Sequence, residues 1–293
     1  MTSHIAVIGG GLMGRGIAQA LADGGHRVSV VESVAEVAAH VEALDHPRIA
    51  LRGLEDAVAD CDLVIEAVSE NVDVKLALWR RIDDLAAPRT LFATNTSSID
   101  IDELARVLGD PTRLLGLHWF NPAVVVPCVE VVLGSLTGEA TATAAAAMMA
   151  SVGKQPIRVR TAPGFVANRL QFALFREAML CLEEGLASAE DIDRIVQTSF
   201  GPRLARLGPL LSADLGGLDT YAAILQYLSA HLGERFEPPQ SLMRMVAEGR
   251  LGAKSGAGVR GLDAAEYDEL SRGMADLLRD AYRRPDAAPV PRS

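Results

Sequence analysis

His118, Glu130 and Asn168 supply a proton acceptor, a carboxylate able to orient it and a neutral amide, and they follow a glycine-rich start, Val7-Ile8-Gly9-Gly10-Gly11-Leu12-Met13-Gly14. Imidazole exchanges protons near neutrality, so it suits the removal of a hydroxyl proton while hydride leaves the same carbon. The combination implies alcohol oxidation against a bound dinucleotide.

The glycine spacing explains where such a cofactor would sit. Gly9-x-Gly11-x-x-Gly14 follows an apolar run and opens a helical pattern. Gly9 can make the turn, Gly11 can let a pyrophosphate approach the backbone, and Gly14 can let helix pack on strand. Leu12, Met13 and Gly14 close the turn ahead of that helix, whose free amides and dipole would stabilise phosphate charge. Glu32 lies 18 residues past Gly14 at the end of the next apolar run. Its carboxylate would accept hydrogen bonds from a ribose diol and repel a 2'-phosphate, and Ser33, Val34 and Ala35 offer no cation in compensation, so NAD is expected over NADP. The plainer alternative for Glu32 is a solvated residue at a strand end.

These residues need a scaffold of alternating strands and helices. Strands are expected at 4–8, 27–32, 48–52, 62–68, 90–95, 114–118, 128–133 and 156–160, with helices at 15–24, 34–44, 75–85, 101–108 and 140–152. The run 62–68 is apolar enough to be buried on both faces. This is the pattern of an α/β Rossmann-type doubly wound sheet. After Pro163-Gly164 the strand signal ends and helical patterns take over at 165–185, 189–200, 220–232 and 242–248. The expected division is an NAD-binding domain over 1–161 and an all-helical substrate and dimerisation domain over 162–293, ending in an added helix and a frayed tail over 284–293.

Composition agrees with that scaffold and excludes others. The 293 residues are 49% hydrophobic and only 4% aromatic, so the cores must come mainly from Ala, Val, Leu and Ile. A formal charge of -10 with no basic cluster argues against nucleic-acid binding. Cys61, Cys128 and Cys181 are too few and too scattered for a disulfide framework or a zinc site, so no metal is expected and a reducing cytoplasm fits. No charged leader precedes the first apolar run, and no stretch is long enough to cross a bilayer.

Further along, Asp62-Leu63-Val64-Ile65-Glu66-Ala67-Val68-x-Glu70, Ala93-Thr94-Asn95-Thr96-Ser97-Ser98, Gly116-Leu117-His118-Trp119-Phe120-Asn121-Pro122, Val129-Glu130-Val131, Pro163-Gly164-Phe165-Val166-Ala167-Asn168-Arg169 and Gly217-Leu218-Asp219 occur in order. Together they resemble the successive signatures of the L-3-hydroxyacyl-CoA dehydrogenase family, over most of residues 4–258. The resemblance implies that His118 is the base and Glu130 its orienting acid, as the acid is in a serine-hydrolase triad. It implies that Ser97 bonds the reacting oxygen and that Asn168 lies near the same atom, donors that favour charge there. It also places Glu70, Lys75, Asn95, Asn121 and Lys254 along the nicotinamide half of NAD. For Ser97 the alternative is a helix N-cap, a role open equally to Ser98 and Asp100. For Lys75 it is an ordinary place on a solvated helix face.

The chain departs from the family on the substrate side. The long basic helical arm that grips coenzyme A in the family is absent or vestigial, since only residues 33–61 fill its interval. Pro127 replaces the usual basic residue before the Glu130 strand, and Val259-Arg260 replaces an aromatic pair. An added helix is expected where Leu270, Met274, Leu277, Leu278 and Tyr282 form an apolar stripe, more for packing than for binding.

The resulting expectation is a cytoplasmic, homodimeric, NAD-dependent dehydrogenase of 3-hydroxyacyl thioesters. The missing arm raises two variants: an acyl group carried by an acyl-carrier protein, as in glyceryl-type extender-unit pathways, or a free hydroxy acid. A noncatalytic NAD-binding protein, a role relatives fill in the lens, is opposed by the intact His118, Glu130, Ser97 and Asn168. A 3-hydroxyisobutyrate-type dehydrogenase would need a catalytic lysine on the first helix of the helical domain, and residues 168–184 contain none.

Overall fold

Strands that are apolar at every position are stable only where helices cover both faces of their sheet. Ile5, Ala6, Val7, Leu63, Val64 and Ile65 are such positions, and all are fully buried. The computed structural model describes residues 2–282, apart from the side chains of residues 274, 275, 277, 280 and 281. It alternates β1 (His4–Ile8), α1 (Leu12–Asp23), β2 (Arg27–Val31), α2 (Ala35–Glu42), β3 (Ile49–Leu51), α3 (Leu54–Val58), β4 (Leu63–Glu66), α4 (Val72–Leu85), β5 (Leu91–Thr94), α5 (Ile101–Ala105), β6 (Leu114–Trp119), β7 (Cys128–Leu133), α6 (Glu139–Ser151) and β8 (Gln155–Arg160).

The eight strands form one sheet in the order β3-β2-β1-β4-β5-β6-β7-β8, the doubly wound topology expected. It is parallel from β3 to β6, after which β7 runs antiparallel to β6 and β8 parallel to β7. Alternation along β1 sends Ile5 and Val7 into one core with Ile17 and Leu21, and Ala6 and Ile8 into the other with Trp79 and Ile82. Strand order reverses between β1 and β4, and the crevice at their carboxyl ends is where such sheets take ligands. The antiparallel β6–β7 pair sets His118 directly opposite Glu130, so their side chains emerge on one face as neighbours.

Two compact units divide the chain, residues up to 175 and residues from 176. Helix α7 (Ala167–Glu183) begins in the first and ends in the second, which continues with α8 (Ala189–Thr198), α9 (Gly201–Gly216), α10 (Leu218–Leu232), α11 (Gln240–Ala247) and α12 (Ala264–Tyr282). Among its described residues the only strand-like pairing is the bridge Gly252 to Ala257.

Helices α3 and α9 are absent from the sequence expectation. In α9 the cause is visible: Gly208 has φ +72° and ψ 169°, and Pro209 follows, so two short helices meet at a kink. A proline is tolerated when it opens a helical turn, but it interrupts the pattern that would reveal the helix. The added helix α12 starts at a reciprocal cap, with the Glu266 amide donating to Asp263 Oδ1 at 2.9 Å and the Asp263 amide to Glu266 Oε2 at 2.8 Å. Its Tyr267 is fully buried with Leu207 and Leu211, and Leu270 packs against them, so α12 is part of its own unit's core. The Met274 and Leu277 side chains and the tail 284–293 lie outside the described residues.

Candidate active site

The turn from β1 to α1 has room only for glycine at two points. A Cβ on Gly9, which has φ +104°, would lie 2.6 Å from the Ala67 carbonyl oxygen, and one on Gly14 would lie 1.8 Å from the Gly9 carbonyl oxygen. Gly11 is different, since no atom comes within 4 Å of its Cβ position. No side chain caps α1, so the first-turn amides of Leu12, Met13 and Gly14 keep their capacity for an anion. Glu32 is fixed beside them, its Oε2 accepting from the Gly10 amide at 2.8 Å and its Oε1 from the Ser33 and Val34 amides at 2.7 and 2.8 Å. Burial would raise its pKa, but the three amides outweigh burial and hold the carboxyl below its ordinary range. An open cradle at Gly11, an uncapped helix end and a fixed ionised carboxylate fit the pyrophosphate and ribose of NAD.

His118 and Glu130 are each 4% or less exposed, and His118 Nδ1 bonds Glu130 Oε2 at 2.8 Å. The other ring nitrogen, Nε2, lies 3.2 Å from Ser97 Oγ. Phe120 and Phe165 flank the imidazole, with ring centres 4.6 and 5.5 Å away. The second oxygen of Glu130 accepts from the Val166 and Ala167 amides at 3.2 and 3.0 Å, at the start of α7. Asn168 follows on that helix within the first unit, its Nδ2 3.5 Å from the Ser97 carbonyl oxygen. The structure thus brings Ser97, His118, Glu130 and Asn168 together.

Ser97 is not a helix cap, since Asp100 caps α5 by accepting from the Asp102 amide at 3.0 Å. Ser97 instead belongs to a turn gathered by Glu70, whose Oε1 accepts from Thr96 Oγ1 at 2.5 Å, the Ser97 amide at 3.0 Å and Ser98 Oγ at 3.1 Å. Burial would raise the Glu70 carboxyl, yet the Thr96 hydroxyl, the Ser97 amide, Lys75 and Ser98 together bring it below its ordinary value.

Lys75 overturns the solvated-face alternative. It is fully buried, with Nζ 2.6 Å from Glu66 Oε1 and 3.5 Å from Glu70 Oε2. Glu66, also fully buried, accepts in addition from the Val68 amide and from Thr94 Oγ1. A charged residue inside the apolar strand 63–66 was the signal for this pair, because buried charges need partners. Asn95 Oδ1 accepts from the Trp119 amide at 3.0 Å. Exposed Asn121 precedes a cis bond to Pro122. The turn that follows is held by Lys154, whose Nζ donates to the Ala123 and Val126 carbonyls at 2.6 and 2.9 Å, an engagement without a local sequence signal. Burial pushes the Lys154 ammonium below its ordinary pKa. Lys254 lies in the second unit, bonded to both Asp219 oxygens at 2.8 and 3.0 Å. Among the described residues no cluster of metal-binding side chains occurs, and no helix is long and apolar enough to cross a membrane.

Comparison with known proteins bears on most of the chain. The family model described as 3-hydroxyacyl-CoA dehydrogenase, NAD binding domain, matches in two stretches, residues 4–46 and 41–162. The model described as 3-hydroxyacyl-CoA dehydrogenase, C-terminal domain, matches residues 164–261. The chain is 35% identical over 279 residues to a 5-formyl-3-hydroxy-2-methylpyridine 4-carboxylate 5-dehydrogenase of Mesorhizobium japonicum, covering 88% of this chain and 90% of that one. It is 34% identical over 287 residues to the mitochondrial hydroxyacyl-coenzyme A dehydrogenase of Sus scrofa, covering 88% and 90%. The crystal structure of a 3-hydroxyacyl-CoA dehydrogenase from Archaeoglobus fulgidus superposes with a TM-score of 0.82 at 31% identity, covering 95% and 98%. With the two domain models matched in succession over residues 4–162 and 164–261, the chain belongs to the 3-hydroxyacyl-CoA dehydrogenase family and is an NAD-dependent oxidoreductase.

Proposed function

We propose that this enzyme oxidises the 3-hydroxyl of an acyl-CoA thioester and reduces the 3-oxo group in reverse, with His118 as base and acid. The observation that supports this most is the hydrogen-bonded run from Ser97 through His118 to Glu130. In oxidation, His118 Nε2 takes the hydroxyl proton while the C3–H bond breaks and the carbonyl forms. The nicotinamide of bound NAD supplies the hydride acceptor. Glu130 orients the ring and stabilises the imidazolium, and Ser97 and Asn168 donate to the oxygen as its charge develops. Glu70, Asn95, Asn121 and Lys254 are assigned to the nicotinamide half of the cofactor, and the buried Lys75 acts there through Glu66 and Glu70. We read the chain as an NAD-binding domain over 1–161 and a helical domain over 162–293, in a cytoplasmic homodimer. Exposed Leu170, Phe172, Leu174 and Phe175 on α7 support self-association, which sedimentation at the mass of one chain would exclude.

A second reading, an alcohol not carried on coenzyme A, has its own support. The Mesorhizobium japonicum relative is named for a pyridine carboxylate, the NAD-domain model matches in two stretches that overlap at residues 41–46, inside the interval that leaves little room for an arm, and Pro127 stands where the resemblance implies a basic residue. NADH formation from one 3-hydroxyacyl group on CoA, on a carrier protein and as the free acid separates these. The highest kcat/KM is expected on CoA. A preference of about tenfold or more for the free acid, worth about 1.4 kcal/mol in the transition state, would transfer the assignment to the second reading, and one for the carrier would revive the carrier variant.

A further inference from the structure

Among the described residues only Asp45 and Phe165 combine a positive φ with a side chain, and Phe165, at +49°, is the bulky one. A left-handed backbone at such a residue costs free energy and persists only where its surroundings hold it. Here the ring does so: it is 1% exposed, clusters with Ile101, Leu104 and Val132, and meets the His118 imidazole at an interplanar angle of 63°. Gly164 before it has φ +72°, so the chain makes two successive left-handed steps. They end in the Val166 and Ala167 amides, both bonded to Glu130 Oε1.

Glu130 therefore has two attachments, His118 through Oε2 and the start of α7 through Oε1. Asn168 stands one residue beyond the second amide. We propose that Phe165 is a positioning residue, whose left-handed backbone, held by its buried ring, aims two amides at Glu130 and sets the His118–Glu130 pair and Asn168 as one piece. The inference rests on the role proposed for His118.

Leucine and isoleucine at position 165 have the same volume but differ in branching at Cβ, which opposes a positive φ. In the full-length enzyme, Phe165→Leu, which keeps an unbranched apolar anchor in the ring's place, is expected to lose less kcat than Phe165→Ile. Phe165→Ile is expected to fall by about tenfold or more in kcat, with KM for NAD unchanged, because misplaced reacting groups slow chemistry without weakening a distant binding turn. A folded Phe165→Ile enzyme equal to Phe165→Leu, or one whose loss lies in KM for NAD, overturns the inference. Should Phe165→Ile fail to fold by circular dichroism, Phe165→Gly decides. It permits the turn but lacks the ring that holds it, so a lowered kcat with unchanged KM for NAD supports the inference and parent-like kcat overturns it. His118→Gln keeps the two failures apart. If that variant retains activity the site reading itself fails, whereas an inactive His118→Gln beside a flat Phe165 series sinks the positioning role alone.

Discussion

His118→Gln is expected to lower hydride transfer by about 10² or more while NADH still binds, the magnitude typical of an acid–base residue. Glutamine keeps a polar side chain of similar reach beside Ser97 and Glu130, but its amide cannot take up the hydroxyl proton. Oxidation would then release that proton to water from a developing protonated carbonyl, with no imidazolium formed next to Glu130. NADH binding is expected to survive because Gly9, Gly11, Gly14 and Glu32 belong to the β1–α1 turn and the end of β2, whereas His118 lies on β6. Fluorescence titration with NADH beside a turnover assay checks both halves, and unchanged turnover would remove His118 from the mechanism.

Gly14→Ala is the second large effect. The added methyl would lie 1.8 Å from the Gly9 carbonyl oxygen, a backbone atom that cannot rotate away as a flexible side chain could. Helix α1 must therefore lift from β1, moving the amides meant for the pyrophosphate. Overpacking of this kind costs about 1–3 kcal/mol of stability, and the displaced turn is expected to weaken NAD by at least about tenfold, or 1.4 kcal/mol. Thermal melting and NAD titration measure the two. Gly11→Ala is the matched control for stability, because its Cβ position is free of protein atoms within 4 Å. A Gly14→Ala protein that melts and binds NAD like the parent would show that the turn tolerates what its geometry forbids.

Much of this site was legible because its signals are local or periodic. The glycine turn and Glu32 are read from spacing around one strand, where Gly9 has φ +104° and a Cβ on Gly14 would meet the Gly9 carbonyl oxygen. His118 and Glu130 are only 12 residues apart on two adjacent runs, and the antiparallel pairing of those runs places them opposite each other. What remained hidden depends on tertiary neighbours. Lys75 looks like any helical lysine until α4 packs it against Glu66, and the second bond of Glu130 requires a left-handed phenylalanine that no propensity favours. Helix α9 is not legible in the sequence because Gly208 and Pro209 carry the usual marks of a loop.

The most direct measurement follows the hydrogen on C3. Given a 3-hydroxyacyl-CoA deuterated at that carbon together with NAD, the enzyme is expected to form the 3-oxo thioester and one equivalent of NADH carrying the deuterium on its nicotinamide ring. Deuterium released to water, or a thioester consumed without labelled NADH, would contradict direct hydride transfer at this site.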